Sequence, residues 1–483
     1  MDYNIDDALC ESGHGLYNYA VLAACCLINH ASCLDLLSFG VILPLAMCEL
    51  NIGLTESGLL TSVPLAGFIF SLPWGYFADT QGRRRALMLS TSVGCLFAMA
   101  SSFAPNWQTL LVLKFIGSSF SSAGITLTIT YLGECTVEKH RSQYMFIMNS
   151  ANLATDIVLF GLAYLIFPQH IDVPIPWLSI RYTPWRAYLF TMAILLGLGC
   201  LMIVFLFESP KFLASVGKTE QALDVLRKMY KLNKRTKDEY SVRSLKQLDT
   251  EVSESFWMSL KDKTVPIFKP PLLWRTMQLF YLFAICYSTI NVFYMWFPLF
   301  INNLFSSNFT TEDKNFCERI YSNSSTNSKT DNETCDAHMS EYTIYSGIFY
   351  GIVLTVLNLA LSAVAKWRRL VLISTLVISA ICLVLINMII QPIVTVGLFT
   401  MVMITGIGIG NVATYFNDMY PTSFRGLATS LGSMTARMAS FAGVNIFGAA
   451  IVSHCSLLFY CWSLFVISGI AVSLLLPADG KFS

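Results

Sequence analysis

The sequence predicts an all-α membrane protein in which twelve transmembrane helices form two pseudo-symmetric bundles of six. Composition is the first reason, because 55% of the 483 residues are hydrophobic and 13% are charged, about half the charged fraction of a soluble domain. The second reason is a set of twelve apolar runs, each long enough to cross about 30 Å of hydrocarbon. The third is an internal repeat, since an acidic residue precedes an arginine by seven positions at Glu134 and Arg141 and again at Asp418 and Arg425.

We number the predicted spans helices 1 to 12 in chain order. They cover residues 17–46, 57–78, 86–104, 107–133, 143–167, 186–207, 275–300, 341–365, 370–391, 393–416, 427–451 and 456–477. The predicted domains are a short N-terminal segment at 1–16, a first bundle at 17–207, a linker at 208–274, a second bundle at 275–477 and a tail at 478–483. Within the linker, Ala222, Leu223, Leu226, Met229 and Tyr230 recur at helical spacing, which predicts an amphipathic helix lying against the membrane or the bundle.

The distribution of basic residues predicts the orientation of the chain. Of its 31 lysines and arginines, 24 fall in one set of loops and termini and five in the other. Because cytoplasmic loops carry the excess of Lys and Arg, both termini are expected in the cytoplasm. Whether the membrane is the plasma membrane or that of a vesicle is left open.

The polar segment 301–340 between helices 7 and 8 falls on the other side. It contains all three Asn-x-Ser/Thr sequons of the chain, at Asn308, Asn323 and Asn332, which is typical of a glycosylated loop outside the cytoplasm. Cys317 and Cys335 lie in the same loop and are candidates for a disulfide, since that compartment is oxidising. Unmodified asparagines and free thiols are the alternative, because sequons are short motifs.

The turn from Gly75 to Arg85 joins helices 2 and 3 and reads Gly-Tyr-Phe-Ala-Asp-Thr-Gln-Gly-Arg-Arg-Arg. Three adjacent arginines in so short a turn predict a cytoplasmic position. Gly75 and Gly82 permit close backbone approach and a sharp turn, and Asp79 is suited to pair with an arginine or a helix N-terminus across a domain interface. A generic basic loop is the alternative, but the charge rule requires neither the acid nor the glycines.

This turn resembles the signature loop Gly-x-x-x-Asp-x-x-Gly-Arg-Arg of the major facilitator superfamily. Together with the two acid-x6-Arg loops and Glu208-Ser209-Pro210-Lys211 after helix 6, it resembles the branch that holds sugar porters, organic ion transporters and relatives of synaptic vesicle glycoprotein 2. The short loop 47–56 and the large loop between helices 7 and 8 are similar to the last of these. The resemblance implies two bundles that rock around a central cavity. In the second bundle the corresponding turn keeps its basic residues and lacks the acid and glycines.

Few ionisable side chains fall inside the spans, and each is a candidate for function because a charge at the bilayer centre costs about 2.5 to 3.5 kcal/mol. The candidates for binding substrate or a coupling ion are Asp35, Lys114, Asp156 and Arg437, with Asn291, Tyr294, Trp296 and Asn358 supplying hydrogen bonds and stacking. Structural roles are the alternative. In that case Asp35 is neutral and bonded to Asn29 or Ser38, and Asp156 pairs permanently with Arg437 or Lys114.

A second candidate set is a cytoplasmic gate, which we predict from the charged loops. It comprises Gly75, Asp79, Gly82, Arg83, Arg84, Glu134, Arg141, Asp418 and Arg425. We expect three ion pairs in it, Asp79 with arginines such as Arg83, Glu134 with Arg141 and Asp418 with Arg425. These pairs are expected to form when the inner side closes and to separate when it opens.

The resemblance implies a secondary transporter that moves a small organic solute, an organic ion, by alternating access. Arg437 favours an organic anion if it faces the cavity, because organic anion transporters similarly place an arginine twelve residues after the loop arginine. Asp35 or Asp156 is available for coupling to a proton or another ion. The alternative is a regulatory vesicle-membrane glycoprotein of transporter fold that acts through protein partners.

Other function classes find no support in the sequence. A net charge of +1 implies no nucleic-acid partner. The chain contains no nucleotide-binding Gly-x-x-x-x-Gly-Lys loop, no metal-ligand spacing and no soluble domain able to house a catalytic site. We therefore expect no enzyme activity, no cofactor and no metal, and the expected partners are the solute, a coupled ion and the lipid bilayer.

Overall fold

The computed structural model describes residues 3–234, 240–246, 261, 264–306, 315–319, 339–362, 367–420 and 422–477, apart from the side chains of 142, 153, 306, 362, 417 and 422–425. The three sequons at Asn308, Asn323 and Asn332 lie outside these residues, and so does Cys335. Their predicted modifications therefore stay predictions.

The described residues are almost entirely helical. Helices 1 to 6 are Leu16–Glu49, Leu54–Gln81, Arg83–Ser101, Trp107–Cys135, Glu138–Ile166 and Pro184–Val204. Helices 7 to 10 are Leu272–Ser306, Glu341–Ser362, Arg368–Ile386 and the pair Pro392–Val402 and Thr405–Met419. Helices 11 and 12 are the two arms of one assigned helix, Thr422–Ser473, whose backbone is non-helical at His454.

These helices account for the twelve predicted spans. Ten helices of the described chain are long and apolar enough to cross a membrane. One of the ten, Gly426–Ser473, holds both helix 11 and helix 12. Arg83–Ser101 is not among the ten because it begins with three arginines and is less apolar than the others, and it supplies the remaining span.

The two bundles contact each other mainly through one half of their length. We call the end that carries the Arg83 turn the basic face and the other end the hairpin face, after the two-stranded sheet of β1 (Val173–Ile175) and β2 (Ile180–Tyr182) there. Towards the hairpin face, Asn445 of helix 11 donates a 2.8 Å hydrogen bond to Ser62 of helix 2. Helix 5 packs against helix 8 in the same half, where a side chain at Gly347 would collide with the Phe160 ring.

The bundles are parted towards the basic face. The last segment of helix 2, Ser71–Gln81, packs mainly on helices 3 and 4 of its own bundle. A methyl group placed on Gly75 or on Gly426 would meet no described atom within 4 Å. The described contacts between the bundles therefore lie mainly towards the hairpin face.

An ion pair with a buried arginine stabilises the hairpin face of the first bundle. Glu49, at the end of helix 1, accepts hydrogen bonds from the Arg186 guanidinium at 2.8 and 3.1 Å and from Trp185 Nε1 at 2.6 Å. Arg186 is fully buried and also donates to the carbonyls of Ser102 and Ala104. One guanidinium thus joins helix 1, helix 6 and the turn between helices 3 and 4.

The N-terminal segment and the linker pack together at the basic face. A short helix, Ile5–Glu11, precedes helix 1, and Tyr3 pairs with the backbone around Leu245. The linker helix Thr219–Lys234 buries its apolar face, and its Asn233 Nδ2 donates to the Asn18 side chain at 2.8 Å. The N-terminal segment and the linker, which flank the first bundle in the sequence, therefore pack on each other.

The predicted disulfide between Cys317 and Cys335 is wrong. Cys317 is bonded to Cys455, next to the break between helices 11 and 12. The sequence favoured two cysteines within one loop, but helix packing brings the end of helix 11 beside that loop, and Cys317 also contacts Asn387 at the end of helix 9. Cys48 at the end of helix 1 is disulfide-bonded as well.

We expect Arg186→Ala to destabilise the fold by about 3 kcal/mol, because it removes the cation that pairs with Glu49 and leaves the buried Ser102 and Ala104 carbonyls without their described donor. Arg181→Ala is the control, since Arg181 is exposed and its pair with Asp172 contributes less than about 1 kcal/mol. Thermal unfolding of the detergent-purified variants measures both. Equal losses in the two variants would show that the buried guanidinium has no special role.

Candidate functional site

Asp35 and Lys114 form a buried ion pair within the first bundle. Lys114 Nζ contacts the Asp35 carboxylate and donates to the Asp35 carbonyl at 2.7 Å, and Ser121 donates to the second carboxylate oxygen at 3.3 Å. The Lys114 side chain is 1% exposed, and its ammonium lies 4.8 Å from the centre of the Phe39 ring. These two charges therefore neutralise each other.

The alternative prediction, that Asp35 is neutral and bonded to Asn29 or Ser38, is wrong. Ser38 hydrogen-bonds to the main-chain carbonyl of Asp35 rather than to its carboxylate. Asn29 donates to Ile125 and Thr128 of helix 4. Lys114 on helix 4 is the better partner, because its positive charge compensates the negative charge of the Asp35 carboxylate. A neutral amide or hydroxyl group does not.

Asp156 forms its described contact across the two bundles. The Tyr294 hydroxyl of helix 7 donates to Asp156 Oδ1 of helix 5 at 2.6 Å. The predicted alternative partners are wrong, because Lys114 is held by Asp35 and no described ion pair joins Asp156 to Arg437. Asp156 is partly exposed, whereas Tyr294 is buried with its ring 5.7 Å from that of Tyr350.

Arg437 is held by aromatic rings instead of by an acid. Its guanidinium carbon lies 3.5 Å from the centre of the Phe68 ring on helix 2 and 5.3 Å from that of Tyr287 on helix 7. No described residue forms an ion pair or hydrogen bond with it. Cation–π contacts compensate a buried charge only in part. A partly exposed cation at this depth is therefore suited to an anionic ligand.

Arg437 and Asp156 lie in one region between the bundles. The Cys33 thiol of helix 1 is within electrostatic reach of both charged groups. His30, one turn earlier on helix 1, contacts Thr155 at 3.2 Å, next to Asp156. Asp156 and Arg437 thus both face helix 1 from the region between the bundles, while Asp35 and Lys114 form a separate pair.

The remaining polar candidates have different surroundings. Asn291 donates to Ser440 of helix 11 at 3.1 Å and is partly exposed. Trp296 is 1% exposed and packs between helices 2 and 11, where it donates to the Val444 carbonyl. Asn358 is half-buried on helix 8, and no described residue hydrogen-bonds to its side chain. Their roles in binding stay predictions.

Of the predicted gate pairs, Asp79 with Arg83 is present and Glu134 has a different partner. Arg83 contacts Asp79 at 2.8 Å and Glu134 at 3.1 Å. The expected pair between Glu134 and Arg141 is therefore wrong, and the Arg141 Nε is buried without a described hydrogen-bond partner. The Arg83 side chain, from the neighbouring turn between helices 2 and 3, takes Glu134 as its partner instead.

In the second bundle, Asp418 pairs with Arg368 at 2.6 Å. The expected partner, Arg425, has its side chain outside the described residues. Arg368 belongs to the turn between helices 8 and 9, which is the counterpart of the Arg83 turn. Both bundles therefore link the same two turns by an acid and an arginine, and each described pair stays within one bundle.

Gly82 and Glu208 shape the Arg83 turn. Gly82 has a backbone φ of 108°, a conformation that other residues rarely adopt. Glu208 accepts hydrogen bonds from the backbone N–H of Arg84 at 2.9 Å and of Ser209 at 3.0 Å. A carboxylate at the N-terminus of helix 3 is favourable, and Glu208 rather than Asp79 has that position. Gly75 makes no close backbone approach in this state.

Several residues of this region carry no signal that sequence reasoning detects. Phe68, Tyr287 and Tyr350 lie in apolar helices, where an aromatic residue indicates packing more often than a site. Cys33 is one of many cysteines in such segments. Only the break in helix 2 at Phe68–Phe70, four residues after Pro64, gives a local hint.

A cavity of about 560 Å³ opens at the hairpin face, away from Arg437. Its lining includes Glu49, Tyr164, Arg181, Trp185 and Glu341. The Glu49 and Arg186 charges beside it are already paired with each other. Arg186, beside this cavity, therefore already has an acidic partner, unlike Arg437 between the bundles.

Comparison with known proteins gives consistent results. The pattern of the Major Facilitator Superfamily matches residues 25–444. Synaptic vesicle glycoprotein 2C of Mus musculus is 23% identical over 351 residues, which cover 67% of this chain and 48% of that protein. Organic cation/carnitine transporter 7 of Arabidopsis thaliana is 25% identical over 254 residues, covering 52% of this chain and 48% of that protein. The chain thus spans about half the length of these relatives.

The solved structures that are similar include the inward-open form of the xylose transporter XylE from E. coli. It superposes with a TM-score of 0.68 at 14% sequence identity, covering 96% of this chain and 98% of that one. At this identity the likeness concerns the fold. It confirms the predicted fold class of twelve helices in two bundles.

We expect Asp35→Asn and Lys114→Met each to destabilise the protein by about 3 kcal/mol, because either one leaves a buried charge without its partner. The double variant removes both charges and is expected to recover at least half of the loss. Thermal unfolding in detergent measures the cycle, with Asp172→Asn at the exposed pair as the control. Losses that simply add in the double variant would contradict this description of the pair.

Proposed function

The chain belongs to the Major Facilitator Superfamily, and from that premise we propose that it moves a small organic anion across a membrane by alternating access. Superfamily membership confirms that the chain is a transport-type membrane protein and not an enzyme. The observation that carries the proposal is Arg437, a cation between the two bundles for which the described residues provide aromatic rings but no acid. An anionic solute supplies the missing charge.

The proposal takes the basic face as cytoplasmic. The excess of Lys and Arg in its loops supports this orientation, and the Cys317–Cys455 disulfide at the opposite face suits an oxidising compartment. The parted basic face then corresponds to an inward-facing state, in which Arg437 is reached from the cytoplasm. From the same distribution of Lys and Arg, we propose that both termini lie in the cytoplasm.

The gate is proposed to close by rearranging existing ion pairs. The side chain of Asp79 is 68% exposed and shares Arg83 with Glu134. Because Glu134 alone is able to hold Arg83, Asp79 is free to bond to helix 11 when the basic faces approach. The open space around Gly75 and Gly426 is where that approach takes place.

A coupled proton or another ion is part of the proposed cycle, and the acids available for it are Asp35 and Asp156. The Asp35 carboxylate is buried against Lys114 and Ser121. Asp156 accepts its described hydrogen bond from Tyr294 of the second bundle.

A regulatory role through protein partners is the second candidate, and the similarity to synaptic vesicle glycoprotein 2C favours it. That similarity also favours a vesicle membrane over the plasma membrane as the location. An unbiased metabolite uptake screen on proteoliposomes containing the full chain separates the two functions. Saturable uptake of any solute supports transport, and uptake of none, with capture of a defined protein partner, supports regulation.

We expect Arg437→Gln to lower anion uptake at least about tenfold, since a lost charge contact of about 1.4 kcal/mol has that effect. Arg437→Lys is expected to retain part of the activity because the charge remains. Arg243→Gln, at an exposed linker arginine, is the control and should transport normally. Anion uptake that is unchanged in Arg437→Gln would overturn the proposed site.

We expect a cysteine introduced at Gly75 to react rapidly with a membrane-impermeant thiol reagent applied to the cytoplasmic side, because the position is open in this state. Saturating substrate should slow the reaction as the bundles close. Adding Asp79→Asn should reduce that protection at least about twofold by weakening the closed gate. A rate that neither substrate nor Asp79→Asn alters would contradict the proposed gate.

A further inference from the structure

His30 of helix 1 lies beside a break in helix 5, which is divided into Glu138–Leu153 and Thr155–Ile166. In a continuous helix the Thr155 N–H would bond to the Ala151 carbonyl, but the backbone bonds of the described residues do not include this one. The His30 Nδ1 contacts the Ala151 carbonyl oxygen at 3.1 Å instead. The imidazole of helix 1 thus supplies a donor that helix 5 lacks.

The contacts of His30 identify which nitrogen of the neutral ring carries the hydrogen. A main-chain carbonyl only accepts hydrogen bonds, so Nδ1 is the protonated nitrogen and donates to Ala151. The Thr155 hydroxyl, 3.2 Å from Nδ1, donates its own hydrogen to the Asn152 carbonyl at 2.6 Å and is therefore an acceptor as well. Nε2 keeps its lone pair, and no described residue hydrogen-bonds to it. Because the ring is partly exposed, Nε2 is able to take a proton without breaking either contact.

The two acids available for coupling differ from His30 in this respect. Protonation of Asp35 leaves the buried Lys114 ammonium without its partner, which is costly. Protonation of Asp156 removes the charge that strengthens its hydrogen bond from Tyr294. Each acid therefore loses an interaction when it takes a proton, whereas His30 loses none of its described contacts.

The break in helix 5 separates a part that follows the first bundle from a part that the second bundle holds. The segment Glu138–Leu153 packs mainly on helix 1, and Thr155–Ile166 packs mainly on helix 8. Asp156, directly after Thr155, accepts the 2.6 Å hydrogen bond from Tyr294 of helix 7. His30 therefore contacts helix 5 at the point where its connection changes from one bundle to the other.

The charged and titratable groups on the elements around His30 are few. They are Asp156 on helix 5, Tyr294 on helix 7, Arg437 on helix 11 and the thiols of Cys26 and Cys33 on helix 1. On helix 4, the uncharged Ile125 and Thr128 contact the preceding Asn29. Asp156 is the acid that adjoins a contact of His30, so a positive charge on the imidazole attracts its carboxylate and opposes its bond to Tyr294.

We propose that His30 takes up a proton at Nε2 and that this proton is the ion coupled to the transport cycle. The inference rests on the proposed alternating access, and it names the coupling ion and the residue that carries it. The proton comes from the solvent and forms one N–H bond, and no covalent bond of the protein breaks. The imidazolium weakens the contact between Asp156 and Tyr294. Protonation therefore favours separation of the bundles towards the hairpin face and approach at the basic face.

The test follows the basic face and needs no transported solute. A cysteine is introduced at Gly75 in the full chain, which is placed in lipid nanodiscs and treated with N-ethylmaleimide. Mass spectrometry of the peptides reports the rate at this position separately from the native cysteines. A second cysteine, introduced at the exposed Arg243, corrects for the effect of pH on thiol reactivity. We expect the corrected rate to fall about threefold from about pH 8 to about pH 6, as the protonated population increases.

Variants of His30 separate the proton from the hydrogen bond. His30→Asn retains an N–H donor for Ala151 and has no nitrogen that takes a proton. Its rate at the higher pH should stay within about twofold of wild type, and its pH dependence should be lost. His30→Gln is a second variant that does not titrate and should lose the dependence too. His30→Arg carries a fixed charge and should react at the higher pH as slowly as wild type does at the lower. His170→Asn, at an exposed histidine, is the matched control and should behave as wild type.

Three results overturn the inference. The first is a corrected wild-type rate that does not change with pH. The second is full pH dependence in folded His30→Asn or His30→Gln, which assigns the proton to another group. The third is a rate in His30→Asn that is altered equally at both pH values and keeps its ratio, which gives His30 a structural role only. Each of these leaves the proposed anion transport intact, because that proposal depends on uptake that requires Arg437. Size-exclusion profiles verify that the variants are folded.

Discussion

A charge held at the depth of the hydrocarbon must find a partner, and this requirement organises the interior of the protein. The first bundle meets it with the buried pair of Asp35 and Lys114, and with the buried Arg186, which Glu49 binds from the partly exposed end of helix 1. The first pair lies within the bundle and the second at its hairpin face. These charges need no partner from the second bundle, whereas Asp156 is bonded to Tyr294 of that bundle. Asp156 and Arg437 lie between the bundles.

The two bundles meet through small residues and aromatic rings more than through charge. Glycines at 58, 347, 351 and 448 let helices approach near the hairpin face, and Trp296 fills the space between helices 2 and 11. Dispersion contacts of this kind hold surfaces together without fixing a single bonded geometry. The ion pairs of the basic face stay within each bundle, so parting that face breaks none of the described pairs.

The sequence predicted the helices well because hydrocarbon thickness imposes a length on each apolar run. It also identified Asp35, Lys114, Asp156 and Arg437, since charges stand out in apolar surroundings. It predicted one partner, Arg83 for Asp79, and missed others. Glu134 pairs with Arg83 instead of Arg141, and Cys317 with Cys455 instead of Cys335, because spacing along the chain does not report which helices are neighbours. Phe68 and Tyr287 were missed since their neighbours in sequence are equally apolar.

The docking of Tyr3 beside Leu245 bears on how the two bundles are connected. Because Asn233 is also bonded to the start of helix 1, the described linker residues up to Lys246 are tied to the first bundle. In the proposed alternating-access cycle, the connection between the bundles therefore begins after Lys246 and is shorter than the whole interval between helices 6 and 7. We expect that shorter segment, rather than the whole linker, to set how far the bundles rock.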